Sequence, residues 1–339
     1  MTYIIAEVGS NHNGSFELAE EMLRAAVATG VDAVKFQTYT AKALISKNAP
    51  KAKYQVETTG DGDSQLEMTQ KLELDRNDYL KLHAIGSELG VDVFSTPFDM
   101  ESLEFLINSG MKIFKIPSGE ITNLPYLERI GQVGGKVILS TGMATLDEIH
   151  DAVDILESNG TRDITILHAT TEYPTQYKDI NLNAMKTLMK EFSKYEIGLS
   201  DHSLGYQVAI AAAGIGASVI EKHFTIDNNL PGPDQKASAT PDVLTELVKG
   251  VRIIELALGD YEKHAVEVEK FNKIVARKSL IAAQPIKKGE IFTADNLTLK
   301  RPGNGISPMH WYEVLGLASE QDFNEDDLII DSRFEWQEK

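Results

Sequence analysis

The stretch Ser218 to Thr225, SVIEKHFT, has the apolar residues of a buried strand and three consecutive ionisable ones. Strand side chains alternate faces, so Val219, Glu221, His223 and Thr225 share one side, and Ile220, Lys222 and Phe224 the other. A second histidine, His202, closes the preceding apolar run, YEIGLSDH. Two imidazoles at the ends of neighbouring strands can reach one divalent ion; the alternative is a pair of hydrogen-bonded core histidines. The matched positions favour the metal. Zinc sites usually take three protein ligands, and the chain has no cysteine. Two histidines with the remaining positions left to water and substrate oxygens suit Mn²⁺ or a similar first-row ion, a Lewis acid for polarising a carbonyl. Asp201 or Glu221 is placed to orient an imidazole from behind.

Other apolar runs also end in chemistry-bearing groups: Glu7, Lys35 and Gln37, Ser95 and Thr96, Lys115 with Ser118 and Glu120, Ser140 and Thr141, His168 with Thr170 and Thr171. Two ammonium groups, Lys35 and Lys115, among the hydroxyls of Thr96, Ser118, Ser140 and Thr141 make a phosphate cradle. One half of such a site would hold an anion and the other a metal-bound carbonyl.

The elements that must position these groups follow one rhythm: a helical pattern, a glycine, then a short β-branched run. It recurs at Gly30, Gly90, Gly110, Gly135, Gly160 and Gly216. Glycine just past a helix takes the left-handed conformation that stops it, and the run that follows has the composition of a buried parallel strand. With YIIAEVG and YEIGLSDH this makes eight strands. Helices fill most gaps, one starting at Ser15 and one capped by Thr240-Pro241 and closed by Gly259. The pattern predicts an α/β protein with a (β/α)8 TIM barrel, whose chemistry sits at the C-terminal strand ends. The runner-up is a doubly wound sheet, but EVGSNHNGS is not a G-x-G-x-x-G fingerprint. The expected division is a barrel over 1–260, a charged linker over 261–275 and a small β-rich domain over 276–339. The connection from Thr40 to about Glu73 is long for a βα loop, which predicts a lid or a disordered segment.

The net charge of −18 argues against nucleic acid or an anionic membrane as partner. No apolar run approaches the roughly 20 residues that span a bilayer. With no basic, apolar leader and no cysteine, a cytoplasmic location is the expectation.

The motifs EVGSNHNG, VKFQT, FSTPF, KIPSGE, ILSTGM, TEYPT, GLSDHS, EKHFT, PGPD and KRPGNG, in order along almost the whole chain, resemble the sialic acid synthase family. The resemblance implies a barrel followed by an antifreeze-like (SAF) domain. It implies the condensation of phosphoenolpyruvate (PEP) with the open-chain aldehyde of N-acetylmannosamine, giving N-acetylneuraminic acid and phosphate. In that reaction PEP C3 attacks the aldehyde, water adds at C2, and phosphate leaves by C–O cleavage. By similarity His202 and His223 hold Mn²⁺. Lys35, Thr96, Lys115, Ser118 and Ser140 surround PEP, while Gln37, Tyr173 and Asp234 hold the sugar. Thr171 stands where some members carry a ligand-contacting Asn. Glu7 and Glu120 are the expected proton-handling catalytic carboxylates. Arg301 matches an arginine that reaches the N-acetyl group from the partner subunit, implying a domain-swapped homodimer.

Three other readings compete. One is a synthase for legionaminic or another diacetamido sugar acid by the same mechanism. Another is a barrel aldolase with Lys115 or Lys35 as a Schiff-base lysine. The last is a non-catalytic carbohydrate-binding or coat-associated relative.

Overall fold

The computed structural model describes residues 1–334. The chain divides into two compact units, Met1–Gly259 and Asp260–Lys339. The last five residues of the expected small domain lie outside the described residues.

The first unit is a (β/α)8 barrel. Its strands are β1 (Tyr3–Gly9), β2 (Ala33–Thr38), β3 (Asp92–Pro97), β4 (Ile113–Ile116), β5 (Lys136–Ser140), β6 (Asp163–Ala169), β7 (Glu196–Asp201) and β8 (Val219–His223). They are parallel and ordered β3-β2-β1-β8-β7-β6-β5-β4. The two ends of this order, β3 and β4, lie side by side and close the ring. The strands are apolar on both faces because helices cover the outside while side chains fill the inside. Ile4, Val34, Phe114, Ile138 and Ile166 are among the fully buried residues. Gly198 in β7 leaves room for β8: a Cβ there would lie 2.3 Å from the Val219 carbonyl.

The helix boundaries follow local chemistry. Ser15 accepts a hydrogen bond from the Leu18 N–H to start Phe16–Ala28, and Thr145 with Glu148 forms a capping box on Leu146–Ser158. The six glycines of the repeating pattern all have positive φ, from 72° at Gly90 to 123° at Gly160.

The long connection after β2 folds into three short helices, Ala41–Leu44, Lys53–Thr59 and Gln65–Gln70. Its two ends are tied together by the Ala41 N–H to Glu73 Oε1 (2.6 Å), and Thr40 N–H is bound to Asp99 Oδ2 (2.8 Å). Gly14, at φ +76°, lies so close to this segment that a Cβ would meet the Lys71 carbonyl at 2.9 Å.

The second unit has its own core, including Leu280, Ile286, Phe292, Leu297, Phe323 and Ile329. Strands β9 (Ser279–Ala282) and β10 (Leu297–Lys300) pair antiparallel, and isolated bridges such as Ile286 to Phe323 extend the small β structure. The expected linker 261–275 runs into a helix, Lys270–Ala276, bound within this unit by the Gly303 N–H to the Ile274 carbonyl (2.6 Å). Among the described residues no helix is long and apolar enough to cross a membrane.

Candidate active site

Sheet register builds the site. Lys35, Glu7 and His223 lie in one row across β2, β1 and β8, and Ser200 is level with Glu221 across β7 and β8. Residues level in parallel strands point the same way, so these groups converge inside the upper barrel. They border a cavity of about 170 Å³, together with Gln37, Thr96, Lys115, Ser118, Ser140, Thr171, Tyr173 and His202.

The two lysines do not stand free among hydroxyls. Lys35 Nζ lies 2.7 Å from Glu7 Oε2 and donates to Thr96 Oγ1 at 2.8 Å. Lys115 Nζ donates to both oxygens of Glu221, at 2.7 and 2.9 Å. Lys35 is also 3.7 Å from Glu221. All four side chains are buried, so each ammonium must carry a counter-charge before any ligand arrives. Burial raises the Glu7 carboxyl to about 7 against the pull of Lys35. Burial acts the same way on Glu221, but Lys115 and Lys35 outweigh it and hold that carboxyl well below the usual range. Ser118 Oγ accepts the Gly142 N–H at 2.9 Å, and Ser140 Oγ is buried without a partner. Thr141, expected in the cradle, turns its hydroxyl to the Leu167 carbonyl at 2.9 Å.

The two histidine rings are 5.4 Å apart, and Tyr173 packs 4.2 Å from His202 and 5.5 Å from His223. His202 Nδ1–H donates to the Thr170 carbonyl at 2.6 Å, which leaves Nε2 as the unprotonated nitrogen. His223 Nδ1 is buried with no partner. Burial holds both rings in the neutral form, His202 down at about 4 and His223 well below the ordinary value. Neutral rings with an unspent nitrogen are the donor set a first-row divalent ion takes. Among the described residues no group of three or more His, Cys, Asp or Glu forms a fuller metal centre.

The expectation that Asp201 or Glu221 orients an imidazole is corrected. The Thr170 carbonyl takes the His202 ring, Glu221 serves Lys115, and Asp201 pairs with Lys222 on the outer face of the barrel (2.8 Å). The alternation of strand faces explains Asp201, which neighbours an inward histidine and so points outward, whereas Glu221 shares the inward face of His223 and is drawn to Lys115 across the interior.

A second cavity of about 450 Å³ adjoins the first, sharing Gln37, Phe98, Gly119, Tyr173 and His223. Glu120, on the turn Ser118–Glu120, and Asp234 both line it. Asp234 is held by its neighbour: Gln235 Nε2 donates to the Asn11 carbonyl and Thr225 Oγ1 donates to Gln235 Oε1, tying the loops after β1 and β8 together. Asp234 Oδ1 is buried without a partner, and burial raises its carboxyl to about 6. The long connection after β2 supplies another wall, in which Leu44, Ile45, Tyr54, Met68 and Leu72 are interspersed with Gln55, Gln65 and Thr69. Tyr54 stacks 5.0 Å from Tyr173. Sequence reasoning missed this wall and the part of Glu221 as a lysine counter-ion; the length of the connection was the signal for the first. Arg301 belongs to the second unit, where it is exposed and its Nε donates to the Ala276 carbonyl at 3.0 Å.

Comparison with known proteins now bears on this geometry. Residues 22–263 match the NeuB family and residues 277–335 the SAF domain. The chain is 50% identical over 330 residues to N,N'-diacetyllegionaminic acid synthase of Campylobacter jejuni, covering 97% of this chain and 98% of that one. It is 43% identical to the enzyme of the same name from Legionella pneumophila, covering 93% and 89%. Among solved structures it resembles an N-acetylneuraminic acid synthetase from Leptospira borgpetersenii crystallised with citrate. That match has a TM-score of 0.71 at 33% identity, over 80% of this chain and 90% of that one.

Proposed function

The chain belongs to the NeuB family, and from that premise we propose that it condenses PEP with a 2,4-diacetamido-2,4,6-trideoxymannose, giving a diacetyllegionaminic acid and phosphate. The observation that carries the choice of sugar is the lining beside the inner cavity, where the apolar side chains of Leu44, Ile45, Met68 and Leu72 are interspersed with Gln55, Gln65 and Thr69. A hydroxyl set against the apolar side chains without a partner loses its hydration uncompensated, whereas the methyl of a 6-deoxy sugar gains by burial, and the Gln and Thr side chains leave hydrogen-bond partners for a second acetamido group. N-acetylmannosamine, the sugar first expected from the motifs, presents hydroxyls where the diacetamido sugar presents a methyl and an amide. The half-identity to a diacetyllegionaminic acid synthase supports the same choice.

In this reading PEP occupies the inner cavity. Lys35 and Lys115 face its phosphate and carboxylate, and the hydroxyls of Thr96, Ser118 and Ser140 supply neutral hydrogen bonds. Glu221 beside Lys115, and Glu7 beside Lys35, direct both ammonium groups inward before the anion binds. Glu7, whose carboxyl is raised to about 7, can hold or release a proton near the reacting carbons at neutral pH. Glu120 faces the adjoining cavity, where a proton of the sugar's carbonyl end would be handled. Asp234 offers an unspent acceptor to an amide or hydroxyl of the sugar, and Gln37 and Tyr173 border both substrates. His202 and His223 would hold Mn²⁺, which when bound supplies a Lewis acid for the aldehyde oxygen. The partner's Arg301 completes the sugar pocket in a domain-swapped dimer.

The test is phosphate release from PEP with each sugar in parallel. The diacetamido sugar should be used with the higher kcat/KM, and the double variant Leu44→Asn, Met68→Gln should cut that preference roughly tenfold, since placing or removing one buried polar contact is worth about 1–3 kcal/mol. A wild-type preference for N-acetylmannosamine would overturn the assignment of the sugar.

A further inference from the structure

Lys222 and Asp201 form an ion pair that the chemistry above does not use. The side chains are each 1% exposed and face away from the barrel interior. Lys222 Nζ donates to Asp201 Oδ2 at 2.8 Å and to the Ser203 carbonyl at 2.6 Å. Asp201 Oδ1 accepts the Ser203 N–H at 2.9 Å and its hydroxyl at 2.6 Å. The two residues are level across β7 and β8.

A pair so placed is poor value as stabilisation. Dehydrating two charges costs several kcal/mol, and well-packed apolar replacements of buried pairs are often as stable or more so. Elsewhere the outer strand faces carry apolar residues, such as Ile4 in β1 and Ile220 in β8 itself, both at 0% exposure. What distinguishes this place is its neighbours. Asp201 and Ser203 flank His202 in the chain, and Lys222 precedes His223. Two of the four hydrogen bonds therefore tie the residues on both sides of one imidazole to Lys222, the neighbour of the residue that carries the other, and the remaining two close the turn 201–203 around His202.

We propose that Lys222 and Asp201 are positioning residues: a buried clamp that fixes the separation and direction of the His202 and His223 rings for a shared divalent ion. The inference rests on the reading of the two histidines as metal ligands. The clamp acts through the backbone at 201–203 and 222–223 and touches neither substrate nor metal. Its chemistry suits the task because strand ends otherwise shift by tenths of an ångström as loops move, whereas two charges joined by hydrogen bonds have one good geometry.

Mn²⁺ binding to the purified full chain, read from the electron paramagnetic resonance of free Mn²⁺ at one pH, tests this apart from turnover. Wild type should bind and His223→Ala should not. The apolar double variant Asp201→Leu, Lys222→Met should melt at or above the wild-type temperature yet bind Mn²⁺ roughly tenfold or more weakly, the usual loss when partners behind metal ligands are removed. Should it not fold, Asp201→Asn, which keeps the shape but loses the charge and one of the two acceptor oxygens, should weaken Mn²⁺ several-fold in a folded chain. Wild-type affinity in a folded double variant, or in Asp201→Asn, overturns the clamp. A wild-type protein that binds no Mn²⁺ instead overturns the metal reading beneath it.

Discussion

Lys115 Nζ lies 2.7 and 2.9 Å from the two carboxylate oxygens of Glu221, a residue four strands away around the barrel. The ammonium that would meet an anionic substrate is thus already neutralised across the barrel interior. Replacing Glu221 by Gln leaves two buried ammonium groups facing Glu7 alone. Loss of one partner of a buried pair costs about 3–5 kcal/mol, so the variant should melt well below wild type. An anion that takes over the missing charge should offset part of that cost. Calorimetry with and without PEP should show a larger ligand-induced rise in melting temperature for the variant; equal rises would mean PEP does not sit at this pair.

Mn²⁺ at the histidines predicts that excess EDTA abolishes turnover and that Mn²⁺ restores it better than Mg²⁺, since imidazole nitrogens favour the later ion. Phosphate release assays decide this. Full activity in excess chelator would remove the ion from the mechanism.

Asp234 should set a stability difference that depends on pH. Folding raises its carboxyl from 3.8 to about 6 by burial, so the folded state favours the protonated form. That contribution is fully present below about 3.8 and is lost as the pH rises through about 6. Asp234→Asn stays neutral throughout. It should therefore be more stable than wild type at pH 7.5 by on the order of 2 kcal/mol and gain little at pH 4, while sugar KM rises. Thermal melts of both proteins at the two pH values test it, and a difference independent of pH would show that Asp234 does not titrate in this window.

The swapped arrangement predicts complementation. His223→Ala and Arg301→Ala chains, each inactive alone, should recover activity when mixed under conditions of subunit exchange. In a mixed dimer one site then has an intact His223 and an intact arginine from the other chain. Verified mixed dimers without activity would argue that Arg301 serves its own chain.

The amino-acid sequence by itself determined the barrel and most of the residues around its mouth. Strand and helix periods are local, and a glycine with positive φ at each helix-to-strand junction is a local requirement, so both are legible without partners. In a barrel, strand ends converge wherever they fall in the chain, so Glu7, Lys35, Lys115, His202 and His223 could be grouped from position alone. Which of them pair was another matter. The direction of a buried carboxylate depends on which strands are level and what lies across the axis. Only the tertiary structure sent Glu221 to Lys115 and Asp201 outward to Lys222, where sequence reasoning had set one or the other behind a histidine. The mixed wall was equally illegible, because Leu44, Ile45, Met68 and Leu72 come from a segment with no strong period of its own. That segment takes its shape from the tie of Ala41 to Glu73 and from its contact with Tyr173.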